Sequence, residues 1–250
     1  MKAKLIALIL LVVFASCSNR PKNNLEENHL KGKITNITVS QYDAEIKFGN
    51  VVKGKVQRKS KVTFNSVGNV ETTDNTYYYG AGDSAEVNHN KFRFEYDGEA
   101  RNIKIISIGD PKNYSVKKYN GDLLIENDSY DGGKLTDKTK YIYNNDKLLS
   151  EINSYDKDGK FTGKEKLFKN EKGWNIAAEI YKSTGELKYK FVTTYDAEGN
   201  TITERQTAGE YPFSHTLKYS NIDSKGNWLT SIQYSKGKPI GYSERKIQYR

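Results

Sequence analysis

Apolar and polar residues alternate along most of this chain, and the alternation is interrupted at regular intervals. From about residue 119 the unit is a half-apolar run, an aromatic residue, and a short polar turn rich in Gly, Asn and Asp. Leu187, Tyr189, Phe191, Thr193 and Tyr195 share one parity, while Lys188 and Lys190 take the other. Trp228, Thr230, Ile232 and Tyr234 repeat the device, as do Thr139, Tyr141 and Tyr143. A period of two is the signature of a strand with one face against other side chains and one in water. The aromatics that close the runs are Tyr119, Tyr130, Tyr143, Tyr155, Phe168, Tyr181 and Tyr195, 11 to 14 residues apart, followed by Tyr219 and Tyr234. That spacing holds one strand of about eight residues and a turn of about four or five. Short turns join antiparallel neighbours, so the pattern predicts a meander.

Residues 32–112 are strand-like but less regular. Runs at 33–39, 44–48, 61–64, 91–96 and 102–108 alternate or are apolar, and Gly49-Asn50 and Gly68-Asn69 echo the later turns. Asp110-Pro111-Lys112 marks a break between this part and 113–250, and the pattern leaves open whether the two parts form one continuous sheet. The only helical candidate is weak and spans Trp174 to Lys182. The expected fold class is all-β: an antiparallel meander of repeated hairpins, forming a curved sheet or a partly closed barrel or sandwich. A sheet with one apolar face cannot stand alone and must curl or pack.

The first residues have a different character. Lys2 and Lys4 precede the aliphatic run Leu5 to Ala15, and Phe14-Ala15-Ser16-Cys17 leads into a polar stretch. The run is too short to span a ~30 Å hydrocarbon core and fits the apolar region of a secretory signal. Residues 14–17 resemble the bacterial lipobox, with Phe14 where leucine is usual. That resemblance implies a signal peptide over residues 1–16, a lipid on Cys17, and Cys17 as the new N-terminus. Ser18 after the cysteine, rather than Asp, implies the outer membrane, on either its periplasmic or its surface side. Residues 17–31 are polar and Asn-rich and read as a flexible tether.

The Tyr-turn units resemble the YD-repeat (Rhs-like) units of bacterial surface proteins. Tyr195-Asp196-Ala197-Glu198-Gly199-Asn200 and Tyr155-Asp156-Lys157-Asp158-Gly159 carry the likeness, which extends over residues 119–250. It implies a small lipoprotein built from related hairpins, and kinship with toxin systems suggests a toxin-neutralising (immunity-type) role as the alternative function.

Composition narrows the chemistry. The chain has 250 residues, 40 Lys and Arg against 31 Asp and Glu, and a net charge of +9. The lysines are spread along alternating strands, which reads first as a solvated sheet face; attraction to anionic lipid or polysaccharide is the second reading. Nucleic acid is not implied. Cys17 is the single cysteine, so no disulfide forms within the chain. Nineteen tyrosines and nine phenylalanines supply the buried area instead. His29, His89 and His215 lie far apart, with no metal-ligand spacing, and no nucleophile-elbow pattern is present. The chain is therefore expected not to be an enzyme and to need no cofactor. Gly80-Ala81-Gly82-Asp83-Ser84 reads as a hairpin tip, and Asp83-Ser84-Ala85 resembles a short O-glycosylation sequon of Bacteroidetes secreted proteins. A weak calcium alternative places Asp156, Asp158 and Glu165 at ligand positions of an EF-hand-like loop. Trp174 and Trp228, each following a turn glycine, are the candidate ligand-facing aromatics. The function these features suggest is a non-catalytic binding or scaffolding lipoprotein that holds an envelope protein or polysaccharide. A glycan-binding module or a hydrolase ranks below it.

Overall fold

The computed structural model describes residues 22–79 and 86–250; Cys17, the signal segment and the Gly80–Ala85 tip lie outside them. A four-residue helix, α1 (Asn24–Glu27), precedes sixteen strands. They are β1 (Ile34–Lys47), β2 (Asn50–Phe64), β3 (Val70–Tyr79), β4 (Glu86–Tyr96), β5 (Asn102–Ser107), β6 (Tyr114–Asn120), β7 (Leu123–Asp131) and β8 (Lys134–Tyr143), then β9 (Leu149–Asp156), β10 (Phe161–Lys169), β11 (Asn175–Lys182), β12 (Leu187–Tyr195), β13 (Thr201–Ala208), β14 (Phe213–Ile222), β15 (Trp228–Ser235) and β16 (Lys238–Tyr249). Each pairs antiparallel with its sequence neighbours, and β1 pairs with β16, with Ile37 opposite Ile247 and Val39 opposite Arg245. The result is a closed barrel in which residues 32–112 and 113–250 form one continuous sheet. Trp174 to Lys182, the helical candidate, is a turn residue followed by β11, because Ile180 and Ala178 face Tyr189 and Phe191 across a ladder that no helix could make.

The repeat has a local cause. At one rim a turn Asx residue accepts two backbone N–H groups with the same oxygen. Asp196 Oδ1 takes Glu198 N at 3.0 Å and Asn200 N at 2.8 Å. Asn65, Asp97, Asn144, Asn170 and Asp223 do the same at their own turns. The fourth residue of the turn takes a left-handed conformation, as at Gly199 (φ 89°), where glycine costs least. Just before the turn the register slips by one residue, at Glu95/Tyr96, Lys118/Tyr119, Ile142/Tyr143 and Thr194/Tyr195. Such bulges re-aim a side chain. Each of these tyrosines turns inward and donates its hydroxyl to a carbonyl on a preceding strand. The bonds run from Tyr96 to Val70 (2.6 Å), Tyr119 to Asn102 (2.9 Å), Tyr143 to Leu124 (2.9 Å) and Tyr195 to Asn175 (2.7 Å). Tyr219 makes the same kind of bond to Thr201 (2.7 Å) with no register slip in its pairing with β15. In β10 the slip falls between Phe168 and Lys169, so Lys169 occupies the tyrosine position and Phe168 faces outward, half-exposed. The repeat aromatic expected at Phe168 is thus out of register with its sisters.

The two walls of the barrel differ. The inner one carries the rim tyrosines and rows such as Tyr141–Ile152 and Phe191–Gln206. Buried apolar side chains number only five among the described residues, and four of them (Leu25, Ile34, Ile37 and Phe64) cluster at the rim rather than mid-barrel. The wall is lined rather than filled, as expected for a barrel of this strand number. The outer wall is charged. Lys118 and Lys138, on β6 and β8, flank Glu126 and Asp128 on β7, with separations from 2.5 to 3.5 Å. Lys190 meets Glu179 at 2.8 Å, Lys164 meets Glu151 at 3.5 Å, and Lys53 meets Glu244 at 2.9 Å. Outward tyrosines of the opposite half lie beneath lysines: Lys140 over Tyr155, Lys164 over Tyr181 and Lys218 over Tyr234, at 5.2 to 5.7 Å.

Residues 22–31, expected as part of a free tether, pack on the barrel instead. Asn23 caps α1 reciprocally with Glu26. Leu25 is buried against Ile34, Ile37 and Phe64, and its N–H reaches Gly68 O at 3.2 Å. The segment then crosses the mouth from the β2–β3 turn to the β12–β13 and β14–β15 turns. Asn23, His29 and Lys31 occupy the space a Cβ would need at Gly68, Gly199 and Gly226. The one apolar residue of the helix and these three bare glycines explain why a polar, Asn-rich stretch is held as a plug.

Candidate functional site: the cavity beside the plug

Between the plug and the rim of β11–β16 lies a cavity of about 390 Å³. Its floor is set by the turn motif, which brings Trp174 and Trp228 to the starts of β11 and β15. Trp174 sits between His29 of the plug (edge-on, 5.4 Å) and Tyr195 (5.3 Å). Trp228 sits between Tyr219 (5.0 Å) and the guanidinium of Arg245, 3.2 Å over its ring. Both tryptophans, separated by 54 positions in sequence, therefore line one cavity. Asn175, Asn200 and Thr201 add amides and a hydroxyl, and Glu27, Lys31 and Glu198 add charge.

Electrostatics at this rim follow from burial. Burial pulls Arg245 down to about 10, opposed only by Tyr219. Burial also pushes the Tyr219 phenol up to about 12 and raises that of Tyr195, so both remain neutral donors. The plug's far end is pinned by an amide clamp. Asn227 accepts Lys31 N at 2.9 Å and donates to Lys31 O at 2.8 Å and to the Tyr249 hydroxyl at 2.8 Å. Tyr249 in turn donates to Asp223. Burial alone would raise the Asp223 carboxyl, but hydrogen bonds from Tyr249, Lys225 and Asn227 outweigh it and hold it below the ordinary range.

The other predicted sites do not assemble. Asp156 caps its own turn through Asp158 N and Lys160 N, Asp158 pairs with Lys157, and Glu165 points from β10 to the inner wall opposite Ile152 and Ile180. The three carboxylates diverge because the loop is a hairpin turn rather than a helix-flanked one, and among the described residues no three metal-ligating side chains converge. His89 lies on the outer wall beside Thr76 and His215 on the inner wall beside Gln233, apart from His29. Sequence reasoning missed Arg245 and the plug. Arg245 was readable in principle: it has the parity of Ser243 and Ile247, the inward row of β16, where a cation stands out.

No protein-family model matches the chain, and no curated protein matches it by sequence. Among solved structures it is similar to a porin-like protein from Bacteroides uniformis, with 12% identity and a TM-score of 0.57, over 87% of this chain and 99% of that one. A porin-like protein from Bacteroides vulgatus aligns over the same shares at 8% identity and a TM-score of 0.24. The Photorhabdus luminescens Tc holotoxin pore aligns over 76% of this chain and 12% of its own at 12% identity and a TM-score of 0.30. The first likeness shows the fold, a closed antiparallel barrel, and no more than the fold.

Proposed function

We propose that this chain is a non-catalytic binding barrel of the bacterial envelope, standing in water and held at the outer membrane by a lipid on Cys17. The charged outer wall carries this reading. A barrel embedded in lipid presents an apolar band, and each Lys or Arg at the bilayer midplane costs roughly 2–4 kcal/mol. Lysines and carboxylates stand on the outward rows of β6, β7, β8, β10, β11 and β12, and among the described residues the exposed apolar side chains there, such as Ile125, Ile142 and Phe168, are interspersed with these charges. The name of the Bacteroides uniformis neighbour speaks of a porin, but the charged wall and the plugged rim favour a binder over a pore. The anchor then rests on Cys17, and the recognition surface on the aromatic cavity at the rim nearest the N-terminus.

The test is membrane extraction of the wild-type chain and of Cys17→Ser, with labelled palmitate supplied to the cells. The wild type should carry label and partition into detergent, while Cys17→Ser should be unlabelled, soluble and folded. A Cys17→Ser chain that resists alkaline extraction, or that conducts ions in a planar bilayer, would make the barrel itself the membrane element.

A further inference from the structure

Arg245 is a partly buried cation of the inner wall that makes no ion pair among the described residues. Arg101, by contrast, meets Asp97 and Glu99, each at 2.7 Å, and Arg93 meets Glu95 at 2.9 Å, while Arg58 on the inner wall bonds the neutral amide of Asn75 at 2.8 Å. Arg245 lies 3.2 Å over the ring of Trp228. Stacking fixes the plane of the guanidinium, and among the described residues no hydrogen bond takes up its N–H groups, which belong to a residue lining the cavity. A charge removed from water without a partner is costly, and the group that completes a planar guanidinium edge is a carboxylate, which takes two parallel hydrogen bonds. Lys31 supports the same corner. Its ammonium lies 3.1 Å from where a Cβ of Gly226 would stand, and it makes no ion pair among the described residues.

The rest of the cavity narrows what the carboxylate is attached to. The walls are aromatic rings (Trp174, Tyr195, Tyr219) interleaved with short polar groups (Asn175, Asn200, Thr201). An acyl chain needs apolar walls throughout. A sugar ring needs this mixture, with C–H faces on aromatic planes and hydroxyls on amides. Glu27 and Glu198 on the remaining sides oppose more than one negative charge inside the cavity, which leaves room for one carboxylated sugar unit there, with the other units of a longer chain outside it. We infer that this cavity binds a carboxylated sugar, a uronic acid unit of an envelope or environmental polysaccharide, with Arg245 holding the carboxylate. This inference rests on the reading of the barrel as a binding module and names its ligand class.

The chain carries its own reporter, because its two tryptophans both line the cavity. The experiment is tryptophan fluorescence of the full chain in mild detergent, titrated with trigalacturonate, maltotriose, glutarate and inorganic phosphate. Trigalacturonate should give a saturable change, and the other three should be weaker by about tenfold or more, as expected for loss of one charge-assisted contact or of the ring contacts. Arg245→Lys keeps the charge but not the planar edge and should weaken trigalacturonate by roughly tenfold. Lys31→Gln, at an exposed site outside the barrel wall, should weaken it severalfold with an unchanged unfolding midpoint. Equal affinity for maltotriose, tighter binding of glutarate or phosphate, or wild-type affinity in both variants would overturn the assignment. So would the absence of any saturable response from a folded chain. In that last case a lipid-labelled wild type and a soluble Cys17→Ser chain would leave the anchored barrel standing and remove only the uronate.

Discussion

At the scale of single residues, the chain repeats one device: a tyrosine placed by a bulge, whose hydroxyl closes a hydrogen bond to a carbonyl about twenty positions earlier, as at Tyr143 and Tyr195. Tyr143 is the cleanest case, since it lies away from the plug cavity and its partner, Leu124 O, is 2.9 Å away. Tyr143→Phe keeps the ring and its packing and removes only that bond. It should destabilise the barrel by about 1 kcal/mol, read as a lower midpoint in thermal unfolding, and an unchanged midpoint would reduce the tyrosine ring to packing. The sequence displays the Tyr-Asx-x-x-Gly signature openly, because aromatic, carboxamide or carboxylate, and glycine each have a separate physical job in it. It does not display the bulge. Phe168 matches the aromatic spacing as well as Tyr143 does, yet the register slip hands the inward position to Lys169, whose ammonium bonds Asn175 at 2.6 Å. Such a slip depends on how two strands meet, which a single-strand pattern does not encode.

At the scale of elements, the plug is the part most hidden in the sequence and the part most exposed to pH. Its composition is that of a linker, and only Leu25 is an apolar anchor inside α1. What holds it is complementary: turn glycines on the rim and the Asn227 clamp that grips Lys31 on both backbone sides. The clamp is positioned by Asp223, which accepts Asn227 N at 2.9 Å and the Tyr249 hydroxyl. The folded pKa of Asp223 is depressed, so its contribution is present above the unfolded value of about 3.9 and is lost as pH falls through the folded value. Amide exchange of residues 30–33, corrected for intrinsic rates, should therefore be flat from neutral pH to about 5 and should accelerate below about 4. In Asp223→Asn the protection should already be reduced at neutral pH and should lose most of its acid dependence. Protection that tracks pH identically in both chains would assign the acid response to another carboxylate, Asp97 first among them, since Arg101 and nearby backbone N–H groups hold it low against the opposing effect of burial.

At the scale of the whole molecule, closure decides everything the parts do. The meander was legible from the turn spacing, but the bond between β1 and β16 joins positions more than two hundred residues apart, and nothing local in either strand announces it. Closure also explains why so few apolar side chains are fully buried: the ladder satisfies every strand on both edges, which removes the need for a second sheet or a covering layer. Residues 113–250 hold the regular units and have the look of a self-sufficient half. Taken alone, however, they would leave β6 and β16 as open edges and would lose the plug together with Ile34, Ile37 and Phe64, most of the buried apolar cluster. The fragment 113–250 should therefore aggregate or unfold without a cooperative transition, whereas the full chain should unfold in one. Co-expression with residues 1–112 should restore a soluble complex, because the β5–β6 and β1–β16 ladders can both re-form between the pieces. A monomeric 113–250 that melts cooperatively would mean that the hairpins stabilise one another without closure, and the barrel would then be a consequence of the repeats rather than the condition for their folding.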